Sequence, residues 1–241
     1  MEAMSKPPSA LLLGWDAATH HIFPPSAVER IRSHLQLHPA RFHAGNWEDH
    51  AETLAEIEYI FSGWGMPELS ESFLQAAPRL RHVFYGAGSI RGFYTEAAAA
   101  RGVGVSSAWR ANAVPVAEFT HATIILSLKK FWRNSRAVRR DRAWRRVEGI
   151  PGAFRSTVGL VSLGAIGRMV ARRLQQHDLR VVAYDPFVPK EAAVELGVEL
   201  VTLENLFAEA DVVSLHTPNL PTTKGLVNED LLRSMKANAS L

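Results

Sequence analysis

The 241-residue chain contains no cysteine. That absence excludes disulfides, thiolate metal sites and a cysteine nucleophile, and it suits a reducing cytoplasm, where the protein is expected to reside. No apolar run approaches the roughly 20 residues a membrane span requires, so no membrane partner is expected. Lys6 and the apolar run at 10–13 loosely imitate a signal peptide, but the run is short and Trp15-Asp16 ends it. Solenoid repeats and low-complexity tracts are absent. No metal site is expected. Net charge is small, at +3, but unevenly placed. Residues 129–146 hold nine basic side chains and one acid, Asp141, which leaves −5 for the rest.

Hydrophobic residues make up 47% of the chain and charged residues 21%. That balance builds a globular core and not a disordered chain. In the first part, short apolar runs at 10–14, 59–62, 82–85 and 103–106 alternate with helix-like segments at 26–36, 49–55, 70–76 and 93–101. Ser26 is positioned to cap the first of these helices and Gly102 to end the last. An apolar segment at 115–134 follows, with Pro115 suited to a first helical turn. Val116, Phe119, Ile124, Ile125, Leu126, Leu128, Phe131 and Trp132 cover nearly all its faces, as in a helix buried on several sides, a domain link or a dimer surface. A second series has strands at 157–163, 180–184, 199–201, 212–215 and 239–241, and helices at 166–176, 190–196, 203–208 and 229–234. Strands alternating with helices imply parallel sheets, hence an α/β protein. Two domains are expected, at 10–114 and 115–241, the second including the linking helix.

The second series opens on Val158-Gly-Leu-Val-Ser162-Leu-Gly164-Ala-Ile-Gly167. A strand runs into a small-residue turn and then a helix with Ile166, Val170 and Leu174 on one face. The free N–H groups and positive dipole at such a helix start bind a pyrophosphate. Gly164 admits the phosphates to the backbone, Ala165 and Ile166 supply the next amides, and Gly167 lets the helix pack close to the strand. Ser162 stands where the usual pattern has its first glycine. Asp185 ends the next strand about twenty residues on, placed to bind the ribose 2′-hydroxyl. Pro186-Phe187 follows with no cation for a 2′-phosphate, which favours NAD over NADP. Two competing motifs fail. A hydrolase nucleophile elbow needs Gly-x-Ser-x-Gly, and a P-loop needs Gly-Lys-Ser/Thr after its glycines.

Four segments together resemble the D-isomer-specific 2-hydroxyacid dehydrogenase family. They are Tyr85-Gly-Ala-Gly-Ser89, Asn112-Ala-Val-Pro-Val-Ala-Glu118, the 162–167 turn, and Ser214-Leu-His-Thr-Pro218 running on to Thr223-Lys-Gly-Leu-Val-Asn228. The resemblance implies a flavodoxin-like substrate domain and a doubly wound, parallel-sheet Rossmann NAD domain, the latter incomplete, with the active site in the cleft. It implies that amides at Ala87 and Gly88 hold a substrate carboxylate and that Asn112 lies beside substrate and nicotinamide. It places His216, Thr217 and Pro218 at the adenosine end of the cofactor, with Thr223 in the following loop. The partner molecules are a small 2-keto or 2-hydroxy acid and, through 115–146, a second copy of the chain. The chain departs from the family at Ile90, where an acid is common, and at Phe119, where histidine is common. Both differences bear on the substrate more than the fold.

In the family, an arginine orients the substrate, and a histidine tuned by a glutamate moves the proton as hydride passes to or from nicotinamide. By resemblance, all three lie beyond Leu241. The expectation is therefore that no catalytic residue is present, that the 241-residue chain is a fragment, and that it turns over little or nothing. His121 reads as a packed or interface residue, and His216 as a cofactor contact. The other histidines, His177 among them, read as surface or capping residues. Two alternatives remain at this point. One is a non-catalytic dinucleotide sensor of the corepressor kind. The other is nucleic-acid binding through 129–146, where Trp132 and Trp144 interleave with basic residues; the favoured reading there is a solvated arm flanking a dimer interface, with no nucleic-acid partner.

Overall fold

The computed structural model describes residues 7–144, 149–150 and 152–241. Arg145 and Arg146 of the basic segment, and residues 1–6, lie outside the described residues. The chain divides into two compact units, Met1–Asn112 and Ala113–Leu241.

Unit 1 runs β1 (Ser9–Leu13), α1 (Asp16–Ile22), α2 (Pro25–Arg32), β2 (Gln36–Leu37), a 3-10 turn (Trp47–His50), α3 (Ala51–Leu54), β3 (Tyr59–Ser62), α4 (Glu71–Ala76), β4 (His82–Tyr85), α5 (Glu96–Ala100) and β5 (Gly104–Ser107). Its strands form a parallel sheet in the order β2-β1-β3-β4-β5, the flavodoxin-like order. Helix α6 (Trp109–Leu128) carries the boundary between the units within its first turns. The expected domain limit at 114 falls two residues later in the same helix.

Unit 2 continues with α7 (Phe131–Asp141), β6 (Thr157–Val161), α8 (Ala165–Leu174), β7 (Arg180–Tyr184), α9 (Lys190–Glu195), β8 (Glu199–Leu200), α10 (Leu203–Glu209), β9 (Val212–Leu215) and α11 (Glu229–Ser234). Its sheet is parallel, in the order β8-β7-β6-β9. This is the first part of the doubly wound order, in which sequence direction reverses beside the first strand. The reversal lies between β6 and β9. Every residue of β6 is buried, as a parallel strand covered on both faces must be. Gly159 is needed inside that strand, because a Cβ there would sit 2.5 Å from a Leu206 methyl on α10 and 3.2 Å from the Cβ of Ala210 just after it. Among the described residues, no helix is long and apolar enough to cross a membrane.

The structure corrects several expected elements. The long apolar helix is two helices, broken at Lys130, whose φ of 52° leaves the helical range. Pro115 is interior to α6, which starts six residues earlier; the Ala111 carbonyl forgoes its usual i+4 partner there. Ser26 is no cap, since Pro24 holds that position and Pro25 begins the helix. Gly102 does follow its helix in the left-handed region, at φ 77°. The expected strand at 239–241 is a single bridge from Ser240 to Val212. Helix α1 and the two-residue edge strand β2 were not expected.

Candidate functional site

The turn after β6 is held by Asp185 at the end of β7. Pairing of Val161 with Tyr184 brings the two strand ends together. The Leu163 N–H donates to Asp185 Oδ2 at 2.8 Å, the Phe187 N–H to Oδ1 at 2.9 Å, and the Ser162 hydroxyl to Oδ2 at 3.3 Å. Arg168 braces the same turn from the helix side, its Nε donating to the Leu163 carbonyl at 2.7 Å. Ser162 itself has φ 81°, in the region that favours glycine.

The glycines of the turn differ in what they make room for. A Cβ on Gly167 would overlap the Ser162 carbonyl oxygen, so the helix can pack here only without a side chain. A Cβ on Gly164 would meet nothing within 4 Å. Gly164 is exposed and caps α8, and no side chain bonds the helix's first amides. Gly164, Ala165 and Ile166 thus present free N–H groups and the positive end of a ten-residue helix, with the buried Gly167 behind them. A pyrophosphate fits that cradle. Beside it, Asp185 borders a cavity of about 770 Å³, lined also by Tyr184, Leu200, Val201, Glu204 and Leu226. The cavity-lining residues beyond Asp185 escaped the sequence reading; the only local signal was Thr202, whose side chain caps α10 just after β8.

His216 follows β9 on the other side of the reversal. Its N–H bonds the Val161 carbonyl at 2.9 Å, and its ring lies 3.2 Å from the Ser214 hydroxyl and beside Gly167. Burial lowers its pKa from 6.5 to about 4, so the ring is neutral at pH 7. Thr217 and Pro218 continue the loop, which Thr223 closes. The Thr223 hydroxyl shares its proton between the Pro218 and Leu220 carbonyls, at 2.6 and 3.1 Å, and accepts from the Leu220 N–H at 3.0 Å. Among the described residues, no hydrogen bond joins that loop to the 162–167 turn.

In unit 1, the loop after β4 gathers Ala87, Gly88 and Asn112. Ser107 on β5 donates to the Ala87 and Gly88 carbonyls, at 3.0 and 2.5 Å, turning them inward. No backbone carbonyl takes up the Ala87 or Gly88 N–H among the described residues. The Asn112 amide nitrogen lies 3.0 Å from where a Gly88 Cβ would be. Two free amides and a side-chain amide can receive a carboxylate. The sequence reading also missed Trp15 and Trp64. They stand half-exposed after β1 and β3, flanking the reversal of the unit 1 sheet where α/β proteins bind ligands, and Trp15 N–H donates to the Trp64 carbonyl at 3.2 Å.

His121, expected as a packed or interface residue, and His177, expected as a surface or capping one, face one another, Nε2 to Nε2 at 2.9 Å. His82 bonds Ser106, and His38 and His43 accept from nearby backbone amides. None of these hydrogen-bond partners is a carboxylate.

The profile of the D-isomer specific 2-hydroxyacid dehydrogenase NAD-binding domain matches residues 121–241. The chain belongs to the D-isomer specific 2-hydroxyacid dehydrogenase family. It is 37% identical over 165 residues to the D-3-phosphoglycerate dehydrogenase of Mycobacterium bovis, a match covering 68% of this chain and 31% of that enzyme. The corresponding enzyme of Archaeoglobus fulgidus is 32% identical over 164 residues, with the same coverage. The matched region thus spans about a third of these relatives' length. Among solved structures, the TT0316 protein from Thermus thermophilus superposes with a TM-score of 0.75 at 26% identity, covering 95% of this chain and 70% of that one. The apo D-lactate dehydrogenase of Escherichia coli shares the fold, with a TM-score of 0.73 at 24% identity, covering 96% and 73%. Unit 2 is a Rossmann-type domain that contains the family's NAD-binding domain. Members of the family act on 2-hydroxy or 2-keto acids.

Proposed function

We propose that this chain is the NAD-holding part of a dehydrogenase that moves hydride between nicotinamide and a small 2-hydroxy or 2-keto acid. One observation carries the reading. Gly164 opens a helix start to space at the sheet reversal, and Asp185 stands at the next strand end. In this reading, the amides at Gly164, Ala165, Ile166 and Gly167 bind the pyrophosphate. Asp185 takes the adenosine ribose, and His216, Thr217, Pro218 and Thr223 border the adenosine end. The neutral His216 ring serves packing and polarity there, since a pKa near 4 unsuits it to hold a proton at pH 7. Unit 1 is the substrate domain. Ala87 and Gly88 amides receive the substrate carboxylate, and Asn112 orients it. Bound NAD supplies the hydride acceptor at its nicotinamide ring.

The chain is further proposed to bind NAD without appreciable turnover, because among the described residues the hydrogen-bonded histidines have no carboxylate partner. A homodimer through α6 and α7 accords with exposed Phe119, Phe131, Trp132 and Val138 on those helices. A cytoplasmic location accords with the cysteine-free composition. The test is a fluorescence titration with NADH, joined to an assay of NADH oxidation with glyoxylate, hydroxypyruvate and pyruvate. Binding without turnover supports the proposal for this chain. Turnover would show that catalytic residues are present in this chain and overturn that part of the proposal. Absence of NADH binding would overturn the reading. If the corresponding full-length protein binds NADH but reduces no 2-keto acid, a sensor role replaces the dehydrogenase.

A further inference from the structure

We propose that Ser162 is a positioning residue that sets nucleotide specificity by anchoring the Asp185 carboxylate, an inference that rests on the NAD reading above. The backbone at Ser162, φ 81°, is one that glycine adopts freely and L side chains rarely adopt. Serine there strains the turn, and its hydroxyl donates to Asp185 Oδ2. The strained residue therefore contributes a contact that glycine cannot make.

The contact completes a three-donor cradle. Leu163 and Phe187 hold the two carboxylate oxygens from opposite strand ends, and Ser162 adds a second donor to Oδ2. A carboxylate has about four acceptor positions. Both positions on Oδ2 are filled by the chain, whereas Oδ1 takes only the Phe187 amide, and Asp185 borders the cavity. Asp185 thus offers a ribose hydroxyl one fixed acceptor. It cannot swing aside for a 2′-phosphate while Ser162 and Leu163 hold Oδ2, and Pro186-Phe187 offers no cation to offset its charge. Loss of the serine hydroxyl leaves one donor on each oxygen and loosens the side chain's hold. NADH then loses a fixed partner, and NADPH escapes a fixed repulsion.

The experiment compares Ser162→Ala and Ser162→Gly with the unaltered chain. NADH and NADPH dissociation constants are read by fluorescence titration, and unfolding midpoints by circular dichroism. The ratio of NADPH to NADH dissociation constants should fall about fivefold in both variants, the worth of one hydrogen bond of about 1 kcal/mol. Ser162→Gly should also raise the unfolding midpoint, whereas Ser162→Ala, which keeps the strain, should not. In an Asp185→Ala background, Ser162→Ala should leave the ratio unchanged. A ratio that survives loss of the hydroxyl, or that falls equally without Asp185, overturns the inference and reduces Ser162 to a turn residue. If the unaltered chain binds neither nucleotide, the NAD reading itself is overturned, and this inference with it.

Discussion

The two glycine-bearing turns, after β4 in unit 1 and after β6 in unit 2, look alike in sequence but are held in different ways. In unit 1 the loop is braced by side chains. Ser107 holds two of its carbonyls, Asn112 crowds Gly88, and a Cβ on Gly86 would strike the Ile22 side chain. In unit 2 the turn is braced by backbone and charge. Gly167 sits against the Ser162 carbonyl, and Asp185 collects amides from both strand ends. The difference separates a glycine that the fold demands from one whose open side the fold leaves free. Gly167 has no room for a side chain, and Gly164 has room that the protein leaves unfilled.

That comparison fails most visibly if Gly167 tolerates a methyl. Gly167→Ala should cost about 3 kcal/mol or more, because a backbone oxygen and not a flexible side chain must move. Thermal unfolding should show a midpoint lowered by roughly 10 °C in unit 2. A loss under about 1 kcal/mol would mean that the helix can slide away from β6.

Acid should act on the same turn through His216. Its folded pKa is depressed from 6.5 to about 4, so the unfolded chain binds the proton first as pH falls. The stability is fully present above pH 6.5 and is lost as pH drops toward 4, by up to about 3 kcal/mol. His121, lowered by burial, by His177 and by Arg173, and His82, lowered by burial, add losses of the same sign. Unfolding midpoints measured from pH 8 to pH 4 should fall through that window. His216→Asn should flatten the slope.

Gly164→Val sharpens the comparison from the other side. The folded protein should lose no more than about 1 kcal/mol, the cost of an apolar residue at the N-cap, since the added Cβ itself meets nothing. NADH affinity should nonetheless fall at least about tenfold, or roughly 1.4 kcal/mol, because the side chain enters the phosphate cradle. Equal losses of stability and affinity would erase the distinction drawn between Gly164 and Gly167. The smallest effect belongs to unit 1. Ser107→Ala should cost about 1 kcal/mol by leaving two carbonyls without their donor, read as a modest drop in the denaturant midpoint.

Much of the fold was legible because the largely apolar strands of parallel sheets read as short apolar runs. The strands at 59–62, 82–85, 180–184 and 212–215 have the same limits in sequence and structure. Illegible elements lacked that signal. Strand β2 is two residues at a sheet edge, and α1 has one buried residue, Thr19, on which to show a periodic face. The break between α6 and α7 fell at two lysines with no glycine or proline to mark it, while Pro115 marked a boundary that the helix ignored.

The sequence by itself determined the glycines, the acid after the second strand of unit 2 and the alternating pattern, hence two parallel sheets and a dinucleotide turn. These depend on neighbours in the chain, through backbone freedom and the period of burial. Only the tertiary structure decided that Ser162 and Asp185 touch across 23 positions, that His121 meets His177, and that His216 is neutral. Each depends on strand register and helix packing, which bring distant groups within hydrogen-bond reach or remove them from water.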